Sequence, residues 1–71
     1  MRGILLSMTE FEIGDTVRFV NQDDMIEYVG EIIAYYEHNG QYKIQIEEWL
    51  DEEPEVMPEI GRTDKPLEKL K

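Results

Sequence analysis

The residue types that could do chemistry in this chain are a single histidine and a large excess of carboxylates, with no cysteine. His38 directly precedes Asn39-Gly40, a turn sequence, and has no evident serine, cysteine or metal-ligand partner. The lack of cysteine excludes thiol nucleophiles, disulfides and cysteine-ligated zinc. We therefore interpret His38 as an exposed turn residue, and we expect no catalytic residues, no metal and no cofactor.

The carboxylates are densest over residues 47–55, where six of nine positions are acidic. Carboxylate oxygens are the ligands that Ca²⁺ and Mg²⁺ prefer. The run nevertheless lacks the alternating acidic spacing and the glycine of an EF-hand loop. We interpret it as a solvated acidic loop.

The formal net charge of −10 restricts the choice of partners. Residues 1–60 hold fifteen acids against three bases, and the basic residues concentrate in the tail after Gly61. A field of this sign repels phosphate backbones and attracts basic protein surfaces. The charge therefore argues against nucleic acid and favours a basic protein partner.

Aromatic rings are frequent for a chain of this length, and tryptophan and tyrosine are enriched where proteins bind one another. We expect most of these rings to fill a small core or its rim. The alternatives are a protein-binding surface and a cage that holds a cation beside the acids. The candidate partner-binding set joins two aromatic rings to five carboxylates: Tyr35, Glu47, Glu48, Trp49, Asp51, Glu52 and Glu53.

Strand patterns dominate the centre of the chain. Residues 16–20 alternate apolar and polar side chains between turn-rich boundaries, and residues 27–36 are rich in β-branched and aromatic residues around Gly30. Asn39-Gly40 is typical of a tight hairpin, and strict alternation follows over residues 42–47. These features predict three consecutive antiparallel strands.

The hairpin register decides whether Tyr35 or Tyr36 is exposed, because a slip of one residue turns every side chain to the other face. A two-residue loop pairs Tyr35 with Ile44, whereas a three-residue loop over residues 38–40 pairs Tyr36 with Tyr42. We predict the three-residue loop.

Two further elements are expected after the acidic loop. Val56–Ile60 is predicted to be a short edge strand that ends at Gly61, because Pro58 cannot donate to an inner ladder. Residues 65–71 predict one helical or 3₁₀ turn that Pro66 begins, with Leu67 and Leu70 pointing inward.

Seventy-one residues correspond to a single domain with a thin core. We place this domain at residues 12–71, preceded by a lead-in over residues 1–11 that forms either one helical turn or disordered chain. No stretch approaches the roughly 20 apolar residues of a membrane span. The lack of cysteine favours a cytoplasmic location.

The order of these elements resembles the SH3-like barrel superfamily, particularly the small KOW-like and Tudor-like barrels of bacterial and phage accessory proteins. The likeness rests on Gly14–Phe19, Gly30–Ile32, Tyr42–Ile44 and Leu67–Leu70. It implies an all-β fold in which about five short strands close a small barrel and the loops carry the function. The KOW-like members that bind RNA are basic, and this chain departs from them.

We therefore expect a non-enzymatic protein-interaction module, a bacterial or phage accessory protein that binds a basic partner as a monomer or weak dimer. One alternative is a nucleic-acid mimic that inhibits a host nucleic-acid-binding protein. A second alternative is direct nucleic-acid binding by the barrel, as in KOW-like proteins, which only the basic tail, residues 62–71, supports.

Overall fold

Five antiparallel strands form one sheet in the computed structural model, which describes residues 11–70. The strands are β1 Thr16–Val20, β2 Glu27–Tyr36, β3 Gln41–Trp49, β4 Ile60–Thr63 and β5 Glu68–Leu70, in the spatial order β4-β3-β2-β1-β5. No helix occurs between residues 11 and 70. The prediction of an all-β fold is confirmed, whereas the predicted lead-in lies outside the described residues except for Phe11.

The core lies on one face of the three central strands. Val17 and Phe19 of β1 pair with Gly30 and Tyr28 of β2, so the alternation of residues 16–20 directs both apolar side chains inward. The buried cluster consists of Val17, Phe19, Tyr28, Ile32, Ile44 and Ile46, with Phe11, Ile26 and Tyr42 packed against it.

The β2–β3 hairpin has a four-residue loop, Glu37–Gly40, so the predicted three-residue loop is wrong, as is its two-residue alternative. Tyr36 pairs with Gln41 and Tyr35 pairs with Tyr42. Between Ile32 and Ala34 the register shifts by one residue, so that the core residue Ile32 of β2 pairs with the core residue Ile44 of β3. A bulge of this kind adds one residue to one strand and reverses the facing of the residues beyond it.

As a result, both tyrosines at the end of β2 are exposed, Tyr35 to 44% and Tyr36 to 42%. The bulge returns Tyr35 to the core-side face, where its ring centroid lies 4.6 Å from that of Tyr42. Tyr36 lies on the opposite face, which we call the outer face of the sheet. The register was expected to expose either Tyr35 or Tyr36, whereas in the structure both side chains are exposed.

The predicted edge strand Val56–Ile60 is also wrong: β4 begins at Ile60 and continues through Gly61 to Thr63. Pro58 has no amide hydrogen, and pairing with β3 starts only after it, where the Glu59 carbonyl accepts the Ile46 N–H at 2.8 Å. Gly61 lies inside β4. A larger residue does not fit at this position, because a Cβ would lie 2.9 Å from the Ile46 side chain and 3.0 Å from the Asn21 side chain.

The predicted C-terminal helical turn is likewise wrong, because residues 68–70 form β5 and pair with β1. The Leu67 N–H donates to the Arg18 carbonyl at 2.8 Å, which starts this pairing. Pro66 is fully buried and Leu67 is half exposed. Pairing with the open edge of β1 satisfies backbone groups that an isolated helical turn would leave to solvent.

Beyond β1 the chain crosses to the far edge of the sheet and contacts β4. The Gln22 N–H donates to the Arg62 carbonyl at 2.9 Å. The buried Asn21 side chain accepts the Arg62 N–H through Oδ1 at 3.1 Å. These two bonds occupy the N–H and the carbonyl of Arg62, so these backbone groups are not free to pair with an added strand.

Candidate functional site

Trp49 ends β3 and pairs with Tyr28, at the end of the sheet opposite the β2–β3 hairpin loop. Between Ile46 and Glu48 the register shifts, since Gly30 pairs with Ile46 while its neighbour Val29 pairs with Glu48. The extra residue turns Trp49 toward the core-side face. Because it lies where the core ends, the indole remains 40% exposed.

Six of the seven predicted partner-binding residues lie at the end of β3 and in the segment that follows it. Trp49 is flanked by exposed carboxylates before and after it in the chain: Glu47, Glu48, Asp51, Glu52 and Glu53. Tyr35 does not join them. It pairs with Tyr42, seven residues along β3 from Trp49, which corresponds to roughly 20 Å at the rise of a strand. Trp49 and Tyr35 therefore cannot anchor the same partner side chain.

The β1–β2 loop adds residues to this region that sequence analysis missed. The Leu50 N–H donates to the Glu27 carbonyl at 3.1 Å, which holds the segment after Trp49 against the start of β2. Met25, just before β2, is 71% exposed. In sequence Met25 belongs to no periodic pattern, and only the strand pairing brings it near Leu50. We call the set Asp24, Met25, Trp49, Leu50, Asp51, Glu52 and Glu53 the acidic end.

A buried hydroxyl lies beneath the acidic end. The Tyr28 side chain is fully buried, and its hydroxyl donates to the Asp24 carboxylate at 2.7 Å. Burial, followed by the hydrogen bond to Asp24 and the negative charges of Asp24 and Glu52, raises the pKa of Tyr28 to about 12. The charges of Asp24 and Glu52 therefore both act on the Tyr28 hydroxyl, which shows that the two acidic segments lie near it.

We expect the stability of the protein to fall at alkaline pH through this tyrosine. The pKa of Tyr28 in the folded state lies above its ordinary value of 10.0, so its contribution is complete below pH 10 and is lost as the pH rises toward 12. Tyr28→Phe should lower the free energy of unfolding by about 1 kcal/mol at neutral pH. It should also flatten the alkaline decline, as measured by urea unfolding at a series of pH values.

Tyr36→Phe is the control for this experiment, because Tyr36 is exposed and lies at the opposite end of the sheet. It should leave both the neutral stability and the alkaline decline as in the parent protein. An alkaline decline that is unchanged in Tyr28→Phe would contradict the assignment.

Positive charge is absent from the chain around Trp49. Residues 47–59 contain seven acids and no base. Three of the basic side chains are held in ion pairs: Arg18 with Glu27 and Glu68, Arg62 with Asp23, and Lys69 with Asp15. None of these pairs involves a carboxylate of residues 47–59.

The other chemical candidates show no converging groups. His38 is exposed in the hairpin loop, as predicted, with its ring centroid 6.3 Å from that of Tyr36. Within residues 11–70, no three histidine, aspartate or glutamate side chains are placed to hold a metal ion. That part of the chain also contains no helix that could span a membrane. The chain matches no family model, no curated protein and no solved structure.

Proposed function

We propose that this protein is a small, non-enzymatic interaction module that binds a basic protein segment at the acidic end. The observation that carries the proposal is the half-exposed indole of Trp49 among carboxylates, with no basic residue in residues 47–59. Its setting would be that of a cytoplasmic bacterial or phage accessory protein, acting as a monomer or weak dimer.

Each part of the acidic end has a separate role in this proposal. The carboxylates increase the rate of encounter with a lysine- or arginine-rich segment, since complementary charge acts mainly on association. Trp49, Leu50 and Met25 then supply apolar area that holds the partner after encounter, as buried aromatic anchors do. A cation of the partner also gains from lying over the indole face.

The test is the binding of a fluorescently labelled peptide with alternating lysine and leucine residues, followed by anisotropy at low and high salt. Trp49→Ala should weaken binding about tenfold or more, because truncation of an anchoring tryptophan has effects of this size. The matched control is Tyr36→Ala, an equally exposed aromatic ring at the opposite end of the sheet. Equal affinities of the two variants would contradict the proposal.

Charge is tested by the double variant Glu52→Gln and Glu53→Gln, with Glu37→Gln in the hairpin loop as its control. The double variant should slow association and reduce the salt dependence of binding. Glu37→Gln should change neither. A salt dependence that is identical in all three proteins would remove the carboxylates from the binding surface.

The same carboxylates would serve a nucleic-acid mimic, which is the second candidate. The run of seven acids without a base in residues 47–59 favours it. A partner captured by a mimic is released by added DNA or RNA, whereas a partner held by Trp49 in the manner proposed above is released by Trp49→Ala. Direct nucleic-acid binding through the tail has less support, because Arg62 and Lys69 are already paired with carboxylates.

We also propose that the sheet closes as an SH3-like barrel. Two hydrogen bonds support this, from the Arg62 N–H to Asn21 Oδ1 and from the Gln22 N–H to the Arg62 carbonyl, because they join the end of β1 to the far edge strand β4. Measured amide hydrogen exchange offers a test: the Arg62 N–H should be protected like the N–H groups of the central strands. Exchange at the rate of a free edge would contradict closure.

A further inference from the structure

A second candidate site lies on the outer face of the sheet, at the hairpin end. A cavity of about 290 Å³ opens there between β3, β4 and the β1–β2 loop. Its polar and aromatic lining includes Asp23, Tyr36, Asn39, Gln41, Lys43 and Arg62. Lys43 lies six residues along β3 from Trp49. The two sites adjoin only at the β1–β2 loop, where Asp23 lines the cavity and Asp24 belongs to the acidic end.

Two cations face each other in this cavity. Lys43 and Arg62 are direct cross-strand partners in the β3–β4 register. Like charges placed opposite one another destabilise a strand pair. In a protein with seven basic and seventeen acidic residues, this juxtaposition is not explained by stability.

Much of the hydrogen-bonding capacity of the pair is unused within residues 11–70. Arg62 donates to Asp23 through Nε at 3.0 Å, and its two terminal nitrogens make no hydrogen bond to residues 11–70. The Lys43 ammonium has no ion-pair or hydrogen-bond partner among the described residues. The Arg62–Asp23 pair is itself more than half exposed, so its net contribution to stability is small.

We propose that this cavity binds a small phosphate monoester. The two positive charges of Lys43 and Arg62 match a group that carries about −1.5 to −2 at neutral pH. Neighbouring strands lie about 5 Å apart, so one phosphate can receive hydrogen bonds from both side chains. The exposed ring of Tyr36 provides a wall for an aromatic or ring-shaped body attached to the phosphate.

The surroundings select a compact ligand over a polymer. The volume is near the lower limit of small-molecule clefts, about 300 Å³. Asp23, which lines the cavity and pairs with Arg62, and the overall charge of −10 repel any further phosphate beyond the one that the two cations bind. The ligand is therefore a monoester with one ring and not an extended nucleic-acid strand.

The experiment is a titration of the full chain with phenyl phosphate, and separately with inorganic phosphate, at constant ionic strength, followed by two-dimensional amide NMR. Saturable shifts should appear at Lys43, Arg62, Asn39 and Gln41. Phenyl phosphate should bind several-fold more tightly than inorganic phosphate because of Tyr36. Tyr36→Leu should reduce that preference while the binding of inorganic phosphate is retained.

Lys43→Gln is the decisive variant, and Lys65→Gln, an exposed lysine outside the cavity, is its matched control. Lys43→Gln should weaken phenyl phosphate at least about tenfold, and it should not lower stability, because it relieves the like-charge pair. Shifts that do not saturate, or equal affinities of the two lysine variants, would overturn the proposal. So would identical shifts with sodium sulfate and phenyl phosphate, which would indicate an adventitious ion only.

Discussion

Gly30→Ala is expected to destabilise the protein by about 3 kcal/mol or more, the upper part of the range for overpacked cores. A Cβ at this position would lie 2.3 Å from the backbone oxygen of Gln45 and 2.7 Å from Cγ2 of Ile44. The first contact is with backbone, which cannot move aside as the end of a flexible side chain can. Relief requires β2 and β3 to separate where the core residues of the two strands pair.

A loss of this size is a large part of the total stability of a domain of this length, roughly 4–10 kcal/mol. Urea unfolding followed by far-ultraviolet circular dichroism measures it. The control is Gly40→Asn in the hairpin loop, where φ is +69° and the nearest heavy atom to an added Cβ is 4.0 Å away. Asparagine tolerates this conformation, so a loss below about 1 kcal/mol is expected. A loss of stability in Gly30→Ala as small as that in Gly40→Asn would contradict the close approach of β3 to Gly30.

Asn21→Ala should have the second-largest effect, a loss of about 1–3 kcal/mol in the free energy of unfolding. Asn21 is 1% exposed, and its Oδ1 accepts the Arg62 N–H at 3.1 Å. Alanine would leave that backbone donor without its acceptor in a partly buried position, and a donor left unpaired away from water has a desolvation penalty. The variant acts where the end of β1 meets β4, so it also loosens the contact between these two strands.

The control is Asn39→Ala, which removes a bond of the same type at an exposed position, where Oδ1 accepts the Gln41 N–H at 3.2 Å. Water replaces that acceptor, so a loss of only a few tenths of a kcal/mol is expected. Amide hydrogen exchange gives a local measurement. The Arg62 N–H should exchange faster in Asn21→Ala than in the parent protein, and its rate should be unchanged in Asn39→Ala. Equal thermal stability of the two variants would argue against a structural role for Asn21.

Local pattern was sufficient for the first two strands. The alternation of residues 16–20 and the β-branched run of residues 27–36 predicted β1 and β2 with the bounds that the structure has. Both strands are long enough, and rich enough in strand-forming side chains, for neighbouring residues to define them. The last two strands are shorter and have proline and glycine nearby, so the fourth strand was predicted too early, at residues 56–60, and residues 65–71 were predicted as a helical or 3₁₀ turn.

The candidate partner-binding set likewise has one part that the sequence could predict and one part that it could not. Trp49 and the carboxylates around it are close in the chain and therefore close in space. Tyr35 was added from a distant part of the sequence, and whether it joined them depended on strand register. Met25 carried no pattern of its own, and the pairing of Glu27 with the Leu50 N–H brings its loop to Trp49.

The sequence by itself determined the all-β class, the first two strands, the hairpin position and the acidic character of the segment around Trp49, because composition and short-range alternation specify these. Only the tertiary structure decided the exposure of both Tyr35 and Tyr36, the strand identity of residues 68–70, and the opposition of Lys43 to Arg62. The physical reason is that bulges and edge pairing satisfy backbone hydrogen bonds between strands that are distant in the chain. No local pattern encodes which distant strand supplies the partner.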